Sequence, residues 1–130
     1  MSYRTYTIRQ LTKEFSVTAR TLRFYEDEGL IAPERRGQTR IYSVRDRARI
    51  ILILRGRRVG FSLAEIREYL NLYDKHGTPR QLTHVKKKFE ERITILEKQK
   101  LEIDAAIDEM KRSIVEVEQQ LAGRSAHVAA

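Results

Sequence analysis

From Pro79 to Leu121 the chain carries neither a glycine nor a second proline, and an apolar residue returns every seventh position at Leu82, Phe89, Leu96, Ile103, Met110 and Val117. The positions four residues after these hold Lys86, Ile93, Lys100, Ile107, Ile114 and Leu121. An apolar residue at every d position and at most a positions is the heptad signature of a coiled coil, here about 40 residues and about 60 Å long. A solitary surface helix has no use for such a seam. The chain of 130 residues holds no second element of this length, so a second copy is the expected partner and a homodimer the expected state. The dimerisation residues are then Leu82, Phe89, Ile93, Leu96, Ile103, Ile107, Met110, Ile114, Val117 and Leu121. Lys86 and Lys100 at a positions weaken the seam but help to fix register. Residues 122–130 are small and polar and are expected to form a disordered tail.

His76-Gly77-Thr78-Pro79 reads as a helix stop followed by a helix start, which sets the coil, residues 79–121, apart from a head domain over residues 6–77. Met1 to Tyr6 reads as a frayed lead-in, with Tyr6 placed to staple onto the first helix. Within the head, Thr7 to Glu14 has the form of a short capped helix, and Phe15-Ser16-Val17 has the length of the turn in a helix-turn-helix. The next stretch, Thr18 to Ile31, reads as a helix that enters a DNA groove. Thr18 caps it, Leu22 with Tyr25 or Phe24 gives it a buried face, Arg20 and Arg23 project elsewhere, and Gly29 stops it.

Leu30-Ile31-Ala32 and Arg40-Ile41-Tyr42 are β-prone segments flanking a loop from Pro33 to Thr39, which predicts a hairpin wing with Arg35 and Arg36 at its tip. Ser43 is placed to cap a helix from Val44 to about Arg58 whose middle, Ile50 to Leu54, is apolar on most sides. After Gly60-Phe61, Ser62 and Glu65 form a capping box for a further helix with Leu63, Ile66, Tyr69, Leu70 and Tyr73 along one face. Arg57, Arg58 and Phe61 at the junction suggest a second wing.

Charge concentrates in the head. Met1 to Gly77 contains 16 basic against 9 acidic residues, a net of +7, whereas Thr78 to Ala130 contains 10 against 9. Fourteen of the 16 head cations are arginine, whose planar fork suits phosphate oxygens and guanine edges. Cysteine is absent, which removes disulfides, thiolate metal sites and cysteine nucleophiles. His76, His84 and His127 fall at a linker, the first turns of the coil and the tail, without ligand-spaced partners, so neither an enzyme nor a metal centre is expected and no cofactor is implied. Glu26-Asp27-Glu28 reads as a solvated helix end. No apolar run approaches the ~20 residues that cross a membrane and no signal-peptide core opens the chain, so a cytoplasmic protein is expected.

The succession Val17-Thr18-Ala19-Arg20-Thr21-Leu22-Arg23-Phe24-Tyr25-Glu26, Gly29-Leu30-Ile31-Ala32-Pro33, Arg40-Ile41-Tyr42 and Gly60-Phe61-Ser62-Leu63-Ala64-Glu65-Ile66 resembles that of MerR-type transcriptional regulators, over about residues 6 to 75. The resemblance implies a mainly α fold, a winged helix-turn-helix DNA-binding domain followed by a long dimerisation coiled-coil helix paired antiparallel. It places Arg20, Thr21, Arg23 and Tyr25, with Thr18 at the helix start, on the recognition helix; Arg36, Arg40 and Tyr42 on the first wing; and Arg58 and Phe61 on the second. Phe24 stands where many members have tyrosine. The implied partners are palindromic double-stranded promoter DNA, distorted by the dimer, and RNA polymerase; the implied setting is the bacterial nucleoid. Metal- and redox-sensing members carry cysteines that this chain lacks, and drug-sensing members carry an effector domain after the coil. The effector therefore stays open: a small organic molecule, a partner protein, or none. A subgroup resembling this chain is linked to genes of amino-acid and fatty-acid catabolism.

Two other readings compete. An excisionase-like architectural protein would bend DNA without controlling a promoter. A coiled-coil adaptor would use the basic head to hold another protein, and salt-dependent binding to random duplex discriminates against it.

Overall fold

The computed structural model describes residues 4–129, with side chains described through residue 125. The order of elements is β1 (Thr5–Thr7), α1 (Ile8–Phe15), α2 (Ala19–Asp27), β2 (Glu34–Arg36), β3 (Thr39–Ser43), α3 (Val44–Arg58), α4 (Leu63–Lys75) and α5 (Pro79–Ala129). This is the mainly helical, winged helix-turn-helix arrangement with a long C-terminal helix that the sequence implies. Two compact units divide between Lys87 and Lys88.

In the first unit, short polar residues start each helix. Thr7 opens α1 with a reciprocal box: the Gln10 backbone N–H donates to Thr7 Oγ1 at 3.1 Å, and Thr7 N–H donates to Gln10 Oε1 at 2.8 Å. The same device recurs as Ser43 with Asp46 on α3 and Ser62 with Glu65 on α4. Thr78 with Gln81 opens α5, where Pro79 occupies the first turn at no hydrogen-bond cost. Each box satisfies two of the backbone donors that a helix start leaves unpaired.

α2 ends where Gly29 takes φ +73°. Gly29 N–H donates to the Glu26 carbonyl at 2.9 Å and Leu30 N–H to the Tyr25 carbonyl at 2.9 Å, the paired bonds of a left-handed helix stop. This turn drives Leu30 into the core, fully buried, with Ile31 beside it.

The sheet differs from the expected hairpin in two respects. Its order is β1-β3-β2, both pairs antiparallel. β1 is an added strand from the residues read as a lead-in, with Tyr6 opposite Tyr42; Thr5-Tyr6-Thr7 is rich in the types that favour extended backbone. β2 begins at Glu34, four residues after Leu30. The earlier residues are claimed by other partners: Leu30 by the helix stop, and Ala32 N–H by Asp46 Oδ1 at 3.1 Å. Because Arg36 pairs with Thr39, the hairpin turn is the two residues Gly37-Gln38 rather than the whole of Pro33–Thr39, with Gly37 at φ +65° as a tight two-residue turn requires.

Leu11, Leu22, Leu30, Tyr42, Ile50, Ile53 and Leu70 are fully buried and form one cluster with Tyr25, Ile31 and Ile66. α4 turns Ile66 and Leu70 into it, whereas Tyr73, two turns after Ile66 on the same face, is exposed. The opening turns of α5 belong to this unit. Val85 is buried, and His84 Nε2 lies 3.1 Å from Glu68 Oε1 on α4.

The second unit is the remainder of α5, which continues to Ala129. The expected tail is thus helical past Gly123. One glycine costs a helix interior about 1 kcal/mol, and the flanking Leu121, Ala122, Arg124 and Ala126 are among the good helix formers. No described helix is long and apolar enough to cross a membrane.

Candidate nucleic-acid interface

α2 is held by its inner face and presents its outer one. Leu22 and Tyr25 enter the core, which fixes the roll of the helix and leaves Arg20, Arg23, Phe24 and Asp27 exposed. Of the two aromatics that competed for the inner face, Tyr25 takes it, at 6% exposure, and Phe24 does not, at 45%. At the start of α2, Thr18 Oγ1 accepts the Thr21 backbone N–H at 3.1 Å and lies 2.9 Å from Thr21 Oγ1. Both hydroxyls are thereby fixed beside the arginines.

The wing is tied to this helix by one carboxylate. Glu26 Oε2 accepts from Arg35 Nη2 at 2.6 Å and Glu26 Oε1 from Arg40 Nε at 2.7 Å. Partial burial pushes the Glu26 carboxyl upward, but the hydrogen bonds and charges of Arg35 and Arg40 outweigh it and hold the group below the ordinary glutamate range. The same contact with Glu26 raises the Arg35 guanidinium. Glu26 therefore departs from the solvated helix end read for residues 26–28. It lies one turn beyond Leu22, at the margin of the buried face, and that spacing is the signal that finds it.

The wing arginines differ in freedom. The Arg40 side chain is 21% exposed and engaged with Glu26, while Arg36 is 70% exposed and paired with its neighbour Glu34 at 3.3 Å. Arg58, at the end of α3, is exposed, and Arg57 Nη1 donates to the Phe61 carbonyl at 3.2 Å. Phe61 packs against the core.

Tyr25 and Tyr42, which the family resemblance places on the DNA-facing elements, are core residues. Tyr42 is fully buried and its hydroxyl has no hydrogen-bond partner among the described residues. Burial raises both phenols above the ordinary tyrosine range, with the charges of Arg40, Glu26, Asp46 and Arg23 acting on Tyr42. Their rings position α2 and the wing. Thr18, Arg20, Thr21, Arg23, Arg36 and Arg58 keep surface positions, on or next to α2, on β2 and at the end of α3.

Behind this surface a second set of ion pairs joins the helices. Arg49, 8% exposed, donates from Nε to the Leu30 carbonyl at 2.6 Å and from Nη1 to Asp74 Oδ2, and Arg45 Nη2 reaches Asp74 Oδ2 at 2.7 Å. Asp74 is held below the ordinary aspartate range, first by its hydrogen bond from Arg45 and then, against desolvation, by the charges of Arg49 and Arg45. Arg47 pairs with Glu14 on α1. None of these ion pairs is visible in local sequence patterns, because each spans 25 or more residues.

Comparison with known proteins agrees with this geometry. Residues 6–72 match the family model of the MerR HTH family regulatory protein, and residues 47–113 match that of the MerR DNA-binding region. The HTH-type transcriptional regulator CueR of Salmonella typhi is 30% identical over 105 residues, 79% of this chain and 75% of that protein. Among solved structures, the N-terminal part of MtaN, the Bacillus subtilis multidrug transporter activator, superimposes with a TM-score of 0.57 at 28% identity over 84% of this chain and 97% of that one. The transcription regulator PbrR691 of Ralstonia metallidurans, solved with lead(II), gives 0.59 at 26% identity over 82% and 86%. An arginine-lined helix braced against an arginine-bearing wing, matched over more than half of the chain, identifies the protein as a member of the MerR family of helix-turn-helix, DNA-binding transcriptional regulators.

Proposed function

We propose that the protein binds a palindromic promoter as a homodimer, distorts it between the half-sites, and thereby controls transcription by RNA polymerase. The observation that carries this reading is the uncovered seam of α5. Its ten residues, Leu82, Phe89, Ile93, Leu96, Ile103, Ile107, Met110, Ile114, Val117 and Leu121, are each 36–60% exposed in the single chain. A large apolar side chain moved from water into a packed seam contributes about 1.5–3 kcal/mol, so a repeated row of this length favours pairing with a second copy. Two-fold pairing places two reading helices against two half-sites, and a dimer of fixed geometry can deform the DNA between them.

The test is footprinting of the full-length protein on DNA selected from a random duplex pool, followed by transcription in vitro from a promoter carrying the selected sequence. A two-fold symmetric footprint and altered transcript yield are expected. A symmetric footprint with unchanged transcription would return the reading to an architectural protein. Salt-independent, weak duplex binding would return it to an adaptor. Mapping the bound sites in the genome tests the link to amino-acid and fatty-acid catabolic genes.

A further inference from the structure

We propose that Phe24 is a base-reading residue whose ring takes the 5-methyl group of a thymine in the major groove. This rests on α2 being the groove helix. Within α2 the two other bulky non-polar positions, Leu22 and Tyr25, are buried, and Phe24 is left 45% exposed. It lies four residues after Arg20 and next to Arg23, both exposed, and so shares the outward face of the helix with the two arginines. Its ring is not loose. Its centroid is 6.1 Å from that of Tyr25, at an interplanar angle of 48°, and Tyr25 is itself fixed in the core, so one side of the phenyl group is supported while the rest faces outward.

The chemistry narrows what such a ring meets in a groove. Phenylalanine has no hydroxyl with which to bond a phosphate oxygen or a base edge. An exposed ring gains by leaving water only against another apolar group. On the major-groove edges of the four base pairs that group is the thymine 5-methyl. The neighbouring wing offers Arg36, 70% exposed, for the backbone, so phosphate contact does not need this position. Arg20 and Arg23 read hydrogen-bonding edges, and Phe24 adds a contact that no polar side chain can supply.

Removal of single methyl groups tests the proposal. The preferred half-site is first selected from a random duplex pool with the full chain, and each thymine is then replaced, one at a time and in both half-sites, by deoxyuridine. For the unsubstituted protein one thymine position is expected to lose about fourfold in affinity per half-site, the value of one buried methyl. Phe24→Ala should bind more weakly and be indifferent to that methyl, whereas Phe24→Tyr, which keeps the ring, should retain the sensitivity. Because Phe24 is outside the core, both variants are expected to melt as the parent does. If every deoxyuridine substitution is neutral for the unsubstituted protein, or if Phe24→Ala keeps the full methyl sensitivity, the assignment falls while DNA recognition by α2 stands. If no consensus emerges from the pool at all, the groove-helix reading fails and takes this assignment with it.

Discussion

Arg49 Nε donates to the Leu30 carbonyl at 2.6 Å while its Nη1 donates to Asp74, so one buried guanidinium on α3 ties the exit of α2 to the last turn of α4. The arrangement satisfies a carbonyl just past the helix stop and neutralises a cation that is 8% exposed. A buried charge that loses its counter-ion is far more costly than the intact pair is stabilising.

Asp74→Ala should therefore destabilise the head by about 3 kcal/mol, since it strands Arg49 in the core and releases Arg45 as well. The matching change Arg49→Met, which removes the charge itself, should cost less than Asp74→Ala even though it leaves the Leu30 carbonyl without its donor. Urea denaturation of the two variants checks the order. Equal, small losses below about 1 kcal/mol would mean that solvent screens the pair.

Acid should unfold the head by a defined route. Asp74, Glu26 and Glu14 all have carboxyls held below their ordinary range by arginine partners. Their unfolded values are about 3.9 for aspartate and about 4.3 for glutamate. A depressed folded pKa means that the unfolded chain binds more protons in acid, so the contribution is complete above about pH 4–5 and disappears as pH falls through the lower folded values. Melting temperature should thus be level from pH 7 to 5 and drop below pH 4. Glu26→Gln and Asp74→Asn should each start lower at neutral pH and lose less on acidification. A parent protein whose melting temperature is unchanged from pH 5 to 3 contradicts the role given to these pairs.

The two wing arginines should separate in a binding assay. The Arg36 side chain is 70% exposed and paired with its neighbour Glu34, so Arg36→Ala should weaken all duplexes alike, reduce the slope of log affinity against log salt by about one, and leave folding unchanged. Arg40 holds Glu26, and Arg40→Ala should in addition lower stability and discrimination between selected and scrambled DNA, because the wing loses one of its two links to α2. Arg23→Ala should mainly relax base preference. Salt titrations on both duplexes distinguish the three, and identical profiles for Arg36→Ala and Arg40→Ala would show that the link through Glu26 does not position the wing.

What the sequence made legible were the features that depend on short spacing. Thr7, Thr18, Ser43 and Ser62 announce helix starts through residues three positions on, Gly29 announces a stop, and the heptads of α5 need only counting. The obscure features depend on what the chain meets after folding. Tyr42 has the chemistry of a DNA contact and is a core residue, since β1 and the wing close over it. Leu30 and Ile31 have β-prone side chains, but the helix stop and the Asp46 side chain occupy the backbone that a strand would need. Glu26 looks solvated among its acidic neighbours until β2 and β3 bring two arginines across from residues 35 and 40. The site was thus readable as a list of outward arginines on a helix, and unreadable as a braced surface in which some of those arginines serve the fold.

The seam of α5 yields the last prediction. Ile103 lies at a d position near the middle of the heptad run and is 59% exposed in the single chain, with Ile107 one turn on. If a second copy covers it, Ile103→Asp must either bury a carboxylate against apolar neighbours or part the helices, and either outcome costs several kcal/mol. The head contains none of the affected residues, so Met1–Gly77 should keep its core and its melting behaviour. What is lost is the tether between two heads. A single head then binds one half-site without the effective concentration that linkage provides, and affinity for the full palindrome should fall by about two orders of magnitude or more. Sedimentation of the variant beside a full-site and a half-site titration reads both consequences. A dimer that persists and still prefers the full palindrome would place the pairing surface elsewhere on the chain. Direction is a separate matter: Glu90, Glu97, Asp104 and Glu118 at e positions would face one another in an antiparallel pair, and Glu97→Lys should tighten an antiparallel dimer while removing a partner of Arg92 in a parallel one.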